Sequence, residues 1–235
     1  MLPKGIIFDL DDTIITFEAV AHDAWRSVCE YYARKIPGCQ PSCLFDAIEE
    51  KSTWYWSDSA RHKRGRLDLD KTRREIVRLA LGSLGIDDCS LAGEIADKYS
   101  LERDKPIRFL PGAEETLEYL ASREVRLVLI TNGEGRKQRE KIERFRLERF
   151  FNSVLIEGEI GFGKPEERIY RKALEELGLT PEEVWSVGDN LEWDVSGPQK
   201  IGVFGIWHDY RDRGVPPGSS VRPDRVITSI PQLIE

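Results

Sequence analysis

Short apolar runs alternate with helical patterns in two separate parts of the chain. The first run, residues 5–8, reads Gly-Ile-Ile-Phe and ends in acidic residues. After Pro106 further apolar runs predict strands, and the segments between them have the spacing of amphipathic helices. Strands that are apolar on both faces are typical of a parallel sheet covered by helices on both sides. These parts therefore predict an α/β fold. The later predicted strands are 125–130, 153–156, 184–187 and 203–207, with a weaker one at 226–228.

The segment between the first strand and Pro106 shows no strand pattern. Apolar residues recur at helical spacing from Phe17 to Tyr32, and later stretches continue with this period. Asp70 is a candidate N-cap for one of these helices, and Gly85 stands where that helix is expected to stop. We therefore predict two domains. They are an α/β core of residues 1–15 and 105–235 and a small all-helical domain of residues 16–104.

Composition narrows the classes of function. The net charge of −7 argues against binding to a nucleic-acid polymer, which requires a basic face. The purest apolar run, residues 127–130, is far too short to span a membrane, and the N-terminus has no signal-peptide pattern. The four cysteines form no CxxC pair, which favours free thiols in a reducing compartment. We expect a cytoplasmic protein without a membrane partner, and the sequence leaves its oligomeric state open.

Chemically active side chains follow the predicted strands. The first strand is followed by acidic residues, and two later strands by hydroxyl, amide and acidic residues. Because ligands of doubly wound sheets bind at the carboxyl ends of the strands, we expect these groups to meet at one edge. In chain order they are Asp9-Leu10-Asp11-Asp12-Thr13, Thr131-Asn132-Gly133, Lys164 before Pro165, and Gly188-Asp189-Asn190 with Asp194.

The spacing of Asp9 and Asp11 has a chemical consequence. In an extended chain both side chains point to the same side, where two carboxylates repel each other unless a cation is bound or one is protonated. Asp189 can approach from a neighbouring strand, and three oxygen ligands suit Mg²⁺. One carboxylate can attack phosphorus while another carboxyl group transfers protons. Lys164 and Thr131 can bind the phosphate oxygens. These residues could thus carry out the transfer of a phosphoryl group.

Four motifs resemble those of the haloacid dehalogenase (HAD) superfamily, in that family's order. The resemblance covers essentially the whole chain. It implies a Rossmann-like catalytic core, and it identifies the helical insertion as the cap that such enzymes carry after their first motif. The matching segments are Phe8–Thr13 (aspartate-x-aspartate-x-threonine), Thr131–Gly133, Lys164 with Pro165, and Gly188–Asn190 with Asp194.

The resemblance implies roles for the acidic residues. Asp9 would be the nucleophile and a Mg²⁺ ligand. Asp11 would be the general acid and base, and would bind Mg²⁺ through its backbone carbonyl. Asp189 would complete the metal site, and Asp194 would support it or orient Lys164. The expected reaction is a two-step, Mg²⁺-dependent hydrolysis of a phosphate ester through an aspartyl-phosphate.

The remaining motif residues would hold the phosphate. Thr131 and Asn132 are expected to bind phosphate oxygens, and Lys164 is expected to neutralise the phosphate and to hold Asp9. A helical cap that closes over the site suggests a small soluble substrate.

Three alternatives remain at this stage. A phosphomutase of the same fold would return the phosphoryl group to a substrate hydroxyl. A haloacid dehalogenase is disfavoured by Asp11, because family members that remove halide resemble this chain but lack an acid there. A non-catalytic module that binds a phosphorylated ligand is disfavoured by the complete set of Asp9, Asp11, Lys164 and Asp189.

Two further patterns concern specificity. Residues 131–143, TNGEGRKQREKIE, resemble the N-acylneuraminate-9-phosphatase and pyrimidine 5′-nucleotidase group, although this helix says little about the substrate's variable part. The basic run 61–66 lies near Trp54 and Trp56. It could bind an anionic substrate group, or it could be a solvated loop above a tryptophan core, which we favour.

Overall fold

The computed structural model describes residues 2–235, except for the side chain of Ala19. Within them the chain divides into two compact units. The first combines the residues up to Thr16 with Arg108–Glu235, and the second is Phe17–Ile107.

The first unit contains a sheet of six parallel strands. They are β1 (Gly5–Phe8), β2 (Arg126–Thr131), β3 (Ser153–Ile156), β4 (Val184–Gly188), β5 (Phe204–His208) and β6 (Arg225–Ile227). The order β3-β2-β1-β4-β5-β6 places the first strand between β2 and β4, where all four of its residues are buried. The strand order reverses between β1 and β4. Such a reversal opens a crevice at the carboxyl ends of the two strands.

Helices complete this unit, and the predicted Rossmann-like α/β core is confirmed. Apolar residues of the strands pack with the buried face of the helix that precedes β4, including Ile169, Tyr170 and Ala173. Because these strands are buried, their sequences contain almost no polar residue before the strand end. The helices are α6 (Ala113–Ser122), α7 (Gly135–Arg144), α8 (Glu157–Ile160), α9 (Glu167–Leu177), and a π-helical turn (Leu191–Ser196) that continues into α10 (Gly197–Gln199).

The second unit is helical throughout its regular elements and has its own hydrophobic core. Side chains such as Val28, Leu44, Val77 and Ile95 are essentially inaccessible to solvent and pack together. Its helices are α1 (Glu18–Ala33), α2 (Pro41–Ser57), α3 (Ser59–Gly65), α4 (Leu69–Ser83) and α5 (Cys89–Asp104).

Two local predictions were wrong. The N-cap of α4 is Asp68, whose side chain accepts from the N–H of Lys71, so Asp70 already lies in the first turn. The basic run belongs largely to α3, because Asp58 caps a helix where a loop was expected.

The chain passes from one unit to the other twice, after Thr16 and before Arg108, and these two residues are hydrogen-bonded neighbours. Thr16 donates its N–H to the carbonyl of Arg108 at 2.9 Å, and its hydroxyl accepts from the N–H of Arg108 at 3.2 Å.

No helix among residues 2–235 is both long and apolar enough to cross a membrane.

Candidate active site

Asp9 is the first residue after β1. Its N–H continues the sheet by donating to the carbonyl of Val187 at 2.9 Å, which fixes the backbone at the crevice between β1 and β4. The carboxylate is buried and accepts from the hydroxyl of Thr13 at 3.0 Å. Because this hydroxyl binds Oδ2, the other oxygen of Asp9, Oδ1, remains available to other partners.

Lys164 is the principal partner of Asp9. Its ammonium lies 2.6 Å from Asp9 Oδ1 and 2.6 Å from Asp194 Oδ1, and it is only 2% exposed. Burial alone would lower the pKa of Lys164, but the carboxylates of Asp194 and Asp9 outweigh it, so this pKa lies above the usual value. The lysine therefore stays charged and can face a further anion.

Three carboxylates converge beside this lysine. Asp9, Asp189 and Asp194 each offer an oxygen, and the three oxygens lie within 4.8 Å of one another. Burial raises the pKa of Asp189 well above its usual value, and the carboxylate of Asp9 adds to this effect. Burial likewise raises the pKa of Asp9 to about 7, although Lys164 opposes the shift. Buried like charges with oxygen donors fit a hard cation such as Mg²⁺, which would relieve their repulsion.

Asp194 is held by the turn that follows β4. The N–H of Asn190 donates to Asp194 Oδ2 at 3.0 Å, and the Asn190 side chain caps the π-helical turn by accepting from the N–H groups of Glu192 and Trp193. Asp194 therefore points back at Lys164 from a fixed turn.

The loops that carry the second and third motifs are joined by the side chain of Asn132. Its Nδ2 donates to the carbonyl of Lys164 at 2.7 Å, and its Oδ1 accepts from the N–H of Lys164 at 2.9 Å. Gly163 permits this approach, because a Cβ there would lie 2.3 Å from Asn132 Oδ1. The side-chain amide of Asn132 is therefore engaged in placing Lys164.

Asp11 has different neighbours. Lys141 Nζ lies 2.7 and 2.8 Å from its two oxygens, and Gln138 Nε2 lies 3.0 Å from Oδ2. The same Gln138 nitrogen donates to the hydroxyl of Thr131. Asp11, which follows β1, and Thr131, the last residue of β2, are thus linked through α7.

Sequence reasoning missed Gln138, Lys141 and Glu157. Glu157 is buried at the start of α8 and accepts from the N–H of Gly133 at 3.1 Å. A weak signal existed for the other two. Gln138, Lys141 and Ile142 are the buried positions of α7, with the i, i+3, i+4 spacing of one helix face. This face escaped notice because two of its three residues are polar in a helix of charged residues.

Comparison with known proteins agrees with this architecture. Residues 3–202 match the protein family described as haloacid dehalogenase-like hydrolase. Among curated proteins, the chain is 31% identical to glyceraldehyde 3-phosphate phosphatase from Pyrococcus furiosus, with 99% of this chain and 92% of that protein covered.

Other relatives have different names. The chain is 32% identical to phosphoserine phosphatase from Thermus thermophilus, with 91% of this chain and 90% of that protein covered. It is also 32% identical to N-acylneuraminate-9-phosphatase from Rattus norvegicus, covering 98% and 92% of the two chains. This last similarity agrees with the resemblance of residues 131–143.

Solved structures share the fold. The HAD-hydrolase YfnB from Bacillus subtilis, determined bound to magnesium, superposes with a TM-score of 0.74 at 21% identity, and the match covers 99% of this chain and 97% of YfnB. A 2-haloacid dehalogenase from Pseudomonas syringae matches with a TM-score of 0.64 at 22% identity, covering 100% and 98% of the two chains. From the family match and the curated relatives together, this chain belongs to the haloacid dehalogenase-like hydrolases.

Proposed function

We propose that this hydrolase is a Mg²⁺-dependent phosphatase that acts on a small phosphorylated metabolite through an aspartyl-phosphate on Asp9. The observation that carries the proposal is the position of the Lys164 ammonium, 2.6 Å from both Asp9 and Asp194 within a buried acidic crevice. A charged lysine beside a buried carboxylate can hold a phosphate next to that carboxylate in spite of their like charges. Relatives named as phosphatases add support.

In the first step, a carboxylate oxygen of Asp9 attacks phosphorus. The bond from phosphorus to the ester oxygen breaks, and the carboxyl group of Asp11 protonates the leaving alcohol. In the second step, the carboxylate of Asp11 accepts a proton from water as the water oxygen attacks phosphorus. The bond between phosphorus and Asp9 then breaks and releases inorganic phosphate.

The other motif residues bind and orient. Lys164 would neutralise the phosphate, the hydroxyl of Thr131 and the backbone N–H of Asn132 would donate to its oxygens, and Asp194 would hold the ammonium of Lys164. Asp9, Asp189 and the backbone carbonyl of Asp11 would hold Mg²⁺, which when bound supplies positive charge to the phosphate oxygens.

We also propose that Phe17–Ile107 is the cap of this enzyme and selects its substrate. Its insertion directly after the first motif supports this assignment. The proposed setting is the cytoplasm, which the four free thiols support.

The test is phosphate release from p-nitrophenyl phosphate and a panel of phosphometabolites, with Mg²⁺ or with EDTA. The panel includes glyceraldehyde 3-phosphate, phosphoserine and N-acylneuraminate 9-phosphate. We expect release that requires the metal, none from Asp9→Asn, and a loss of roughly 10²–10⁴-fold in Asp11→Asn. Asp87→Asn changes an exposed aspartate between α4 and α5 and should retain wild-type rates.

Two outcomes would refute the proposal. If Asp9→Asn keeps the wild-type rate, the covalent mechanism is wrong. If the wild type converts a sugar phosphate to an isomer without releasing phosphate, the enzyme is a mutase.

A further inference from the structure

Asp11 is engaged by two side chains that the four motifs do not include. Lys141 contacts both oxygens of the carboxylate, and Gln138 contacts Oδ2. The two side chains come from one helix, α7, and their i, i+3 spacing places them on the same face.

Both residues are buried, which is unusual for their types. Gln138 is 3% exposed and Lys141 is 9% exposed. Removing an amide or an ammonium from water costs free energy unless polar partners replace the water. By contrast, Arg136 and Arg139 on the same helix pair with the exposed carboxylates of Glu140 and Glu159. The buried face of α7 is thus directed at Asp11.

Gln138 also defines the direction of the Thr131 hydroxyl. The Gln138 amide occupies an acceptor site on Thr131 Oγ1, so the hydroxyl hydrogen is left to be donated. In this structure that hydroxyl lies 3.5 Å from the carbonyl of Asn132, at the limit of a hydrogen bond, and can turn toward a ligand.

We propose that Lys141 and Gln138 are positioning residues for Asp11, holding its carboxyl group where it exchanges protons with the leaving oxygen and then with water. The inference rests on the proposed function, because it presupposes the proton transfers of Asp11. An aspartate without these contacts samples several rotamers, and proton transfer requires one geometry. Neither residue touches the substrate in this scheme. Lys141 acts through Asp11, and Gln138 acts through Asp11 and through the hydroxyl of Thr131.

The leaving group of the substrate distinguishes a positioning role of these residues from a merely structural one. Departure of p-nitrophenolate needs little protonation, whereas departure of an alkoxide from an alkyl phosphate depends on the acid. The quantity to measure is kcat/KM, which reports the reaction up to formation of the aspartyl-phosphate. A misplaced Asp11 should therefore slow alkyl phosphates selectively, while general damage to the site should slow both substrates alike.

The experiment compares p-nitrophenyl phosphate with the alkyl phosphate that the wild type hydrolyses fastest. For Lys141→Met we expect kcat/KM to fall by roughly 10–10²-fold with the alkyl phosphate and by less than about threefold with p-nitrophenyl phosphate. Lys141→Arg should restore part of the loss because it keeps a cation near Asp11. Lys172→Met removes a lysine from an exposed pair on α9 and should match the wild type with both substrates.

A double-mutant cycle provides the second readout. In the Asp11→Asn background, Lys141→Met should change the alkyl-phosphate rate by less than about twofold, because the group it positions is already absent. Equal losses with both substrates, or an undiminished loss in the Asp11→Asn background, would overturn the proposal. Thermal unfolding verifies that each variant folds. If Lys141→Met does not fold, Lys141→Gln, which removes the charge but keeps a polar side chain at this position, replaces it in both comparisons, and the same two results would overturn the proposal.

Failure of the proposed function has its own signature. A wild type that releases no phosphate from either substrate, or an Asp11→Asn enzyme as fast as the wild type with the alkyl phosphate, would refute the role of Asp11. Either result would overturn the present inference together with it. The comparison of kcat/KM for the two substrates in Lys141→Met is informative only if the wild type releases phosphate and Asp11→Asn is slower than the wild type with the alkyl phosphate.

Discussion

Gly188 ends β4 at the point where the carboxylate of Asp194 folds back over the strand. A Cβ at Gly188 would lie 2.3 Å from Asp194 Cγ, a distance that real contacts do not reach. Asp194 in turn holds the ammonium of Lys164. The position of the catalytic lysine in the proposed mechanism therefore depends on the absence of a single methyl group.

Gly188→Ala should displace Asp194 and lower phosphatase activity by up to roughly 10²-fold, since errors of about 1 Å in an active site have effects of this size. The measurement is kcat/KM for the best substrate, together with thermal unfolding of the variant. Gly93→Ala, where the new methyl group meets nothing within 4 Å, is the control. An active Gly188→Ala enzyme would show that Asp194 is free to move.

His208 provides a pH-dependent contribution to stability. Burial lowers the pKa of its imidazole to about 4, although Asp209 and nearby backbone groups of Asp12 and Thr228 oppose the shift. The unfolded chain therefore binds more protons than the folded one between about pH 6.5 and 4, and stability falls as pH falls through this window. The shift corresponds to about 3 kcal/mol in total.

The free energy of unfolding in urea, measured at several pH values, tests this prediction. His208→Gln should lose stability less steeply than the wild type as pH falls below 6.5. Subtracting one curve from the other removes the contribution of the carboxylates that titrate in the same pH range. His22→Gln changes an exposed histidine and is expected to retain the wild-type curve. Parallel curves for wild type and His208→Gln would contradict the assignment.

At the scale of elements, two glycines near the end of α4 differ in conformation although both have open space around them. A Cβ at Gly82 or at Gly85 would meet no atom within 4 Å. Gly82 lies inside the helix, where alanine restricts the unfolded chain and favours the helix. Gly85 has φ +77°, a left-handed conformation that an L side chain disfavours.

We therefore expect opposite signs for the same substitution. Gly82→Ala should raise the free energy of unfolding by about 0.5–1 kcal/mol, and Gly85→Ala should lower it by about 1 kcal/mol. Chemical denaturation of the three proteins at one pH measures both effects. If both variants shift in the same direction, the glycine at the helix end does not adopt the left-handed conformation.

The sequence predicted the strands well because buried parallel strands consist of apolar residues that end abruptly in polar ones. Asp9, Thr131 and Asp189 were proposed as site residues in this way, since each follows such a run within one residue. Lys164 depended on its motif, because a lysine before a helix is ordinary. The contacts of α7 had only a weak signal in the spacing of its residues, because tertiary packing decides which polar face of a charged helix is buried.

Errors at helix ends had a local cause. Asp68 and Asp70 are both good capping residues, and the backbone conformation of the preceding turn decides which of them becomes the N-cap. The region 61–66 looked like a loop because it lacks apolar residues, yet Asp58 caps it and Arg61 packs 4.0 Å over the ring of Trp54. The guanidinium also donates to the carbonyls of Trp54 and Tyr55. These contacts favour the structural interpretation of the basic run.

At the scale of the whole molecule, the helical unit has a hydrophobic core of its own, and both of its chain ends leave where Thr16 and Arg108 pair. A segment with its own core whose ends meet is a candidate for independent folding. We expect residues 17–107, expressed alone, to give a helical circular dichroism spectrum and a cooperative thermal transition.

Comparison with a shorter fragment distinguishes cooperative folding from residual helix content. A fragment of residues 17–83, which lacks α5 and with it Ile95 of the core, should lose the cooperative transition. A gradual, non-cooperative melt of the longer fragment would mean that the helical unit depends on the rest of the chain.

The central position of β1 has a consequence for synthesis of the protein. Translation produces β1 first, but its two neighbours begin only at Arg126 and Val184. At roughly 5–20 residues per second, this wholly apolar strand lacks its second partner for on the order of ten seconds or more. During that delay the helical unit can emerge and bury its own core. The strand that precedes Asp9 is thus made before both of its neighbours, and its apolar side chains are open to aggregation until β4 has been translated.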